Sequence, residues 1–253
     1  MKINLIEKNM TENANDVGVW DTPQKILVIL AHPDDPEFFC GATISRWSKA
    51  GHDVSYCLLT CGDKGTNDRN LSKDVLCSIR YQEQRAAAAK LGVKEVNFLG
   101  HPDGYLVPSL ELRKEVTRVI RQVRPAILVT CDPTNLYFSG NRINHPDHRA
   151  AGQVVLDAVF PASQNHLYFE ELLVDEGLEP HAIREVWITL PAESNVVLDV
   201  TSDWESKIQA LYEHKSQIGD PVKLAQRMRE RRIPDSTPEA PRYEERFRRL
   251  IIN

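Results

Sequence analysis

The chain has 253 residues, 42% hydrophobic and 26% charged, with a net charge of −5 and a pI near 5.9. That balance is ordinary for a globular protein and gives no electrostatic reason to expect a nucleic-acid partner. No run of about 18 apolar residues is present, so nothing reads as a membrane span.

Residues 1–24 are polar and lack both sustained periodicity and an apolar signal core, so they read as a leader wrapped on the surface or partly disordered. Residues 25–30, Lys-Ile-Leu-Val-Ile-Leu, read as a buried strand. The loop behind it, Ala31-His32-Pro33-Asp34-Asp35-Pro36-Glu37, is stiffened by two prolines, and a helix follows from Phe38 to about Gly51. Strands at 53–60, 93–99 and 126–130 alternate with helices at 72–91 and 109–123. A further helix opens at His145-Pro146-Asp147-His148 and runs to about Phe160. This alternation predicts an α/β, Rossmann-like three-layer fold with a mainly parallel sheet. Ligands then gather at the carboxyl ends of the strands.

Beyond Phe160 the rhythm changes. Residues 161–183 read as irregular, 186–190 and 195–199 as strands, and 201–217 as a helix. The end carries Arg227, Arg229, Arg231 and Arg232, read as a solvated face in preference to an oligomer contact. The expected organisation is one domain over 25–253, with 161–253 capping the rest. Five cysteines at 40, 57, 61, 77 and 131 include no Cys-x-x-Cys pair. They predict free thiols in a reducing, cytoplasmic setting and no disulfide scaffold.

One aspartate before a helix is an ordinary N-cap. A histidine and three acids within six residues are not, because crowded carboxylates repel unless a cation or proton joins them. His145 and His148 are three apart at a helix start and so share a face. A catalytic zinc site uses about three N or O ligands plus an open position. One His and one Asp from the first turn and one His from the second supply such a set. A remaining Asp could deprotonate water whose pKa a metal lowers to near 7, and a remaining His could serve an oxyanion or leaving group.

The paired signatures Ala31-His-Pro-Asp-Asp35 and Asn144-His-Pro-Asp-His148 resemble those of the PIG-L/LmbE family of zinc-dependent N-acetylglucosaminyl deacetylases. Thr60-Cys-Gly-Asp-Lys-Gly-Thr66, Arg80-Tyr-Gln-Glu83, Pro102-Asp-Gly104 and His214-Lys-Ser-Gln217 fall in the same order. The resemblance spans roughly 25–217 and looks nearest to the diacetylchitobiose deacetylase branch. It implies His32, Asp35 and His148 as metal ligands, for one Zn²⁺ per chain or another divalent ion. It further implies Asp34 as general base, His145 (protonated) as stabiliser of the tetrahedral intermediate, Asp147 as the tuning partner of His145, and Arg80 and Asp103 as sugar contacts. Glu83 reads as a structural helix partner.

The resemblance also implies a small amino-sugar substrate and a homo-oligomer, trimer or hexamer. Departures are Pro36, which displaces Glu37 by one, Asn144 where many relatives carry Arg (here Arg142), and a missing apolar-aromatic tail. The reading is hydrolysis of an N-acetyl amide on an amino sugar. Alternatives are an amidase on another acyl-amino sugar or thiol-sugar conjugate, and a non-catalytic sugar binder. A nucleotide-binding module lacks its Gly-x-Gly-x-x-Gly.

Overall fold

The computed structural model describes residues 18–138 and 142–252. Strands β1 (Lys25–Leu30), β2 (Asp53–Thr60), β3 (Glu95–His101), β4 (Ile127–Cys131), β7 (Glu185–Thr189), β8 (Val196–Asp199) and β9 (Glu244–Ile251) form one seven-stranded sheet. Their order is β3-β2-β1-β4-β7-β9-β8. The first five strands are mutually parallel, and β9 runs antiparallel to both β7 and β8. A short ribbon, β5 (Tyr137–Phe138) and β6 (Arg142–Ile143), stands apart from the sheet.

β1 is apolar throughout because both its faces are covered. Alternate residues point to opposite sides: Ile26, Val28 and Leu30 enter one core, Leu27 and Ile29 the other. On the first face lie α1 (Asp35–Lys49), α2 (Lys73–Lys90) and α6 (Trp204–Leu211), with Trp47, Ala87, Ala88 and Ile208 buried against the sheet. On the second lie α3 (Leu110–Val123) and α4 (Pro146–Asp157), through Leu112, Val116, Ile120, Ala151 and Val154, and the short α5 (Glu170–Val174) follows in the chain. The chain reverses its direction of travel across the sheet between β1 and β4. Their carboxyl ends therefore frame a crevice at a topological switch point.

Several expectations are corrected. Within 161–253, β7, β8 and β9 extend the sheet itself. The charged C-terminal end hides β9 behind its composition, yet Glu245 and Phe247 turn inward between exposed neighbours, the period of a strand. It also contains α7 (Pro221–Arg229), capped by the Asp220 side chain. The first helix begins at Asp35, so Asp35 and Glu37 lie in its first turn, with Pro36 at a position where a missing N–H costs nothing.

Cys61 and Cys77 form a disulfide that ties the loop after β2 to α2, while Cys40, Cys57 and Cys131 are free and buried. That bond removes the argument from cysteine usage to a reducing compartment. Of the leader, residues 1–17 lie outside the described residues. Trp20 packs among Trp47, His52 and Trp187 and donates to Glu185 at 2.9 Å.

β9 also supports α1 from within. The helix is broken at Cys40, whose φ is −146°, and the break frees backbone donors. Glu245 accepts from the N–H groups of Ala42 and Thr43 and from the Thr43 hydroxyl at 3.2, 2.8 and 2.6 Å. Lys207 of α6 meets the same carboxylate at 2.6 Å, with both side chains buried. Removing one partner of such a pair leaves a buried charge uncompensated. Glu245→Ala is therefore expected to lower unfolding stability by about 3–5 kcal/mol in urea denaturation. The Lys207→Met/Glu245→Leu double variant should recover only the part due to the unpaired Lys207, because leucine leaves the Ala42 and Thr43 donors without an acceptor.

Candidate metal centre

The candidate residues come from four separate segments. His32, Asp34 and Asp35 follow β1, Asp103 follows β3, Arg80 projects from α2, and His145, Asp147 and His148 open α4. Asp35 joins the two signatures. One of its carboxylate oxygens lies 3.3 Å from His32 Nδ1 and the other 3.1 Å from His148 Nε2. The backbone N–H of His32 donates to it at 2.8 Å. Burial pushes the Asp35 carboxyl up, but the two imidazoles more than offset this and hold it well below the usual carboxylate range.

The remaining ring nitrogens are held from behind. His32 Nε2 lies 3.1 Å from both Asp147 and Asp103, and His148 Nδ1 lies 2.9 Å from Asn144 Oδ1. Metal-ligating histidines characteristically have this outer partner, which fixes the ring and its tautomer. His32 Nδ1, the Asp35 carboxylate and His148 Nε2 thus face one another as an N₂O donor set of the kind zinc accepts.

Donor atoms of His32, Asp103, His145 and Asp147 lie within 4.8 Å of one another, as do those of His32, His145 and His148, and Asp35 joins neither group. Asp147 is the poorer ligand, because its oxygens already accept the backbone N–H groups of Gly104 and Leu106 at 2.6 and 3.1 Å. It is fully buried, and its carboxylate turns to His32. Among the described residues its hydrogen bond to the His145 ring runs through its backbone N–H instead, which donates to Nδ1 at 3.2 Å.

That last bond has a chemical consequence. With Nδ1 accepting, a neutral His145 carries its proton on Nε2, the nitrogen 3.8 Å from Asp103. Burial, then the charges of His32 and His148, lower the pKa of His145 against the pull of Asp147 and Asp103. Both effects act against the expected imidazolium, and the bond at Nδ1 directs the N–H of a neutral ring through Nε2.

Asp34 occupies the N-cap position of α1 without capping. Its φ is 93°, and its side chain makes no cap bond. Strained backbone of this kind persists where neighbours over-determine it. The Asp34 N–H donates to Gln84 at 2.7 Å, and Arg80 Nη2 meets its carboxylate at 3.1 Å. Burial, then the neighbouring charge of Asp35, raises its pKa to about 6 against the pull of Arg80, His214 and His32. A base tuned toward neutrality is suited to proton transfer.

Arg80 is buried, and its other bonds go to the carbonyls of Pro33 and Gly62. It serves first as a clamp on Asp34. Gly62, at φ +68°, is required there, since a Cβ would stand 2.0 Å from the guanidinium. Asp103 is anchored through its own backbone, where Asp63 accepts its N–H at 2.7 Å and Lys64 binds its carbonyl.

Sequence reasoning missed the support behind these groups. Gln84 donates to both Glu37 oxygens at 3.0 Å, and His214 meets Glu37 at 3.0 Å in a fully buried cluster. The signal for Gln84 was its spacing, one helical turn past Arg80 on α2. Asn144, noted only as a departure from relatives, orients His148. Glu83 accepts from the N–H and hydroxyl of Ser216, a structural role as expected.

The sequence profile of the family described as PIG-L, GlcNAc-PI de-N-acetylase, matches residues 27–159. The diacetylchitobiose deacetylase of Thermococcus kodakarensis is 35% identical over 220 residues, covering 87% of this chain and 78% of that protein. A 1D-myo-inositol 2-acetamido-2-deoxy-alpha-D-glucopyranoside deacetylase of Actinosynnema mirum is 28% identical, covering 78% of this chain and 81% of that protein. Among solved structures, N,N'-diacetylchitobiose deacetylase from Pyrococcus horikoshii matches with a TM-score of 0.80 at 32% identity, covering 90% of this chain and 84% of that one.

If Asn144 orients His148, Asn144→Ala should weaken zinc binding about 10–100-fold in a calorimetric titration. Unchanged affinity would remove the outer-partner assignment.

Proposed function

The chain belongs to the PIG-L family of de-N-acetylases, and on that footing we propose that it removes the N-acetyl group from an N-acetylglucosamine-type sugar or conjugate, as a metal-dependent hydrolase. Products are acetate and the free amine. The observation that carries the reading is Asp34, a half-buried carboxylate clamped by Arg80 at 3.1 Å beside His32, Asp35 and His148. A protein that only bound sugar would have no use for such a base.

In this reading His32, Asp35 and His148 hold zinc, or another divalent ion that such ligands accept. A divalent ion there would polarise the acetyl carbonyl and make hydroxide available near neutral pH. Asp34 takes the proton from the attacking water and afterwards returns it to the departing nitrogen. His145 donates its Nε2–H to the oxygen on which charge develops. Asp147 orients His32 and fixes the backbone of 104–106. Arg80 holds Asp34 in place, which leaves Asp103 the freer of the two to accept from a sugar hydroxyl.

No described helix is long and apolar enough to cross a membrane, and the partner in this reading is a small amino sugar. A homo-oligomer, trimer or hexamer, belongs to the same reading on the strength of the resemblance, and sedimentation velocity measures it.

The test is acetate release from N-acetylglucosamine, diacetylchitobiose and N-acetylglucosaminyl malate or inositol, with zinc-loaded and chelated protein. Release should require metal, and Asp34→Asn should cut kcat by about 10²–10⁴. Zinc bound and sugar bound, with no acetate from any substrate, would sink the deacetylase reading and favour a binder.

A further inference from the structure

Two features of the sequence remain unused by this chemistry: Arg142, and the arginine-rich run near the C-terminus. The structure divides that run. Arg229 pairs with Glu205 at 3.0 Å, and Arg232 donates to the Ser236 carbonyl. Arg227 and Arg231 instead join Arg142 around a cavity of about 500 Å³ whose aromatic wall is Phe38, Phe39 and Phe138.

The cavity adjoins the metal centre. Phe39 lies one helical turn beyond Asp35, and its ring meets that of His148 edge-on at 5.1 Å. Arg142 stands two residues before Asn144, the partner of His148, and its guanidinium lies 5.7 Å from the Phe138 ring.

Among the described residues, none of these three arginines has a carboxylate partner. The acids on the adjoining wall are taken: Glu244 accepts from Arg246 at 2.8 Å and Glu245 from Lys207 at 2.6 Å. Glu230 accepts from Gln226 at 2.9 Å. All three arginines are exposed residues on the lining of the cavity. Three like charges converging without a counter-charge are unfavourable unless an anion joins them. Guanidinium forks match the oxygens of carboxylates and phosphates.

Resting on the deacetylase reading, we propose that Arg142, Arg227 and Arg231 bind a carboxylate or phosphate carried by the substrate beyond its amino sugar. The chain then selects acidic glycosides of N-acetylglucosamine over neutral ones. The acetyl group sits at the metal centre, and the rest of the molecule runs past Phe39 into the arginine-lined cavity.

The experiment compares kcat/KM for a neutral pair, N-acetylglucosamine and diacetylchitobiose, with that for N-acetylglucosaminyl malate and N-acetylglucosamine 1-phosphate. The acidic substrates should be preferred by roughly tenfold or more, through KM, since hydrogen bonds to charged groups are of that size. The better of the two acids identifies the anion. Added salt should erode the preference. In the Arg142→Gln/Arg227→Gln/Arg231→Gln variant the ratio of acidic to neutral kcat/KM should fall toward one. The corresponding triple lysine variant, which keeps charge without the fork, should fall between.

Equal use of acidic and neutral sugars by the unaltered protein, or a ratio untouched by the triple variant, overturns the site. If no sugar is turned over, calorimetry of N-acetylglucosamine 1-phosphate with chelated protein decides separately. Binding that the triple glutamine variant loses keeps the anion site while the deacetylase reading falls. Binding equal in both proteins, or absent from both, removes the anion site.

Discussion

The structure depends on one carboxylate held between two imidazoles. Asp35 meets His32, three residues away in sequence, and His148, more than a hundred residues later, through its two oxygens. That pairing ties the start of α1, just past the end of β1, to the start of α4, and around it stand Asp34, Asp103 and Asp147. So many acids about one buried imidazole raise the His32 pKa well above its ordinary value despite the opposing effect of burial. A divalent cation is the natural counter-charge for such a cluster. The separate roles of the carboxylates follow from their partners: Asp147 satisfied by backbone N–H groups, Asp34 clamped by arginine, Asp35 shared by histidines.

Rigidity at this point is supplied from the far end of the chain. β9 inserts between β7 and β8 and sends Glu245 to the break in α1, where it satisfies the donors the break exposes. Because α1 starts at Asp35, whatever fixes its path also fixes that candidate donor and the neighbouring Asp34. The buried Glu37, Gln84 and His214 cluster closes the same helix from the α2 side. Sites that must hold reacting groups to fractions of an ångström require such supporting layers.

A fold of this class hosts many chemistries, and specificity lies in the walls of the site. Here one wall is aromatic and its rim is arginine. The same C-terminal segment that braces α1 through Glu245 also carries α7, and with it Arg227, to the mouth of that cavity. A stretch that composition presents as solvated surface thereby contributes both to the core, through Glu245 and Phe247, and to the lining of the cavity.

The strand and helix alternation was legible in the sequence because each element carries its own periodicity, and the two His-Pro-Asp signatures were legible because their residues are contiguous. The parallel sheet and the candidate residues His32, Asp34, Asp35 and His148 all rest on such local signals. Tertiary structure alone decided the rest. The partners of Arg80, Gln84, Glu37 and His214 lie dozens to well over a hundred residues apart, and sequence order does not encode which side chains meet. β9 was hidden because a strand bordered by charged residues shows little net hydrophobicity, its inward side chains being Glu245 and Phe247. The protonation of His145 was undecidable from sequence, since a pKa depends on burial and on charges brought near in space. The bond between Cys61 and Cys77 was missed for a related reason: their spacing matches no local motif, and only the packing of α2 against the loop after β2 brings them together.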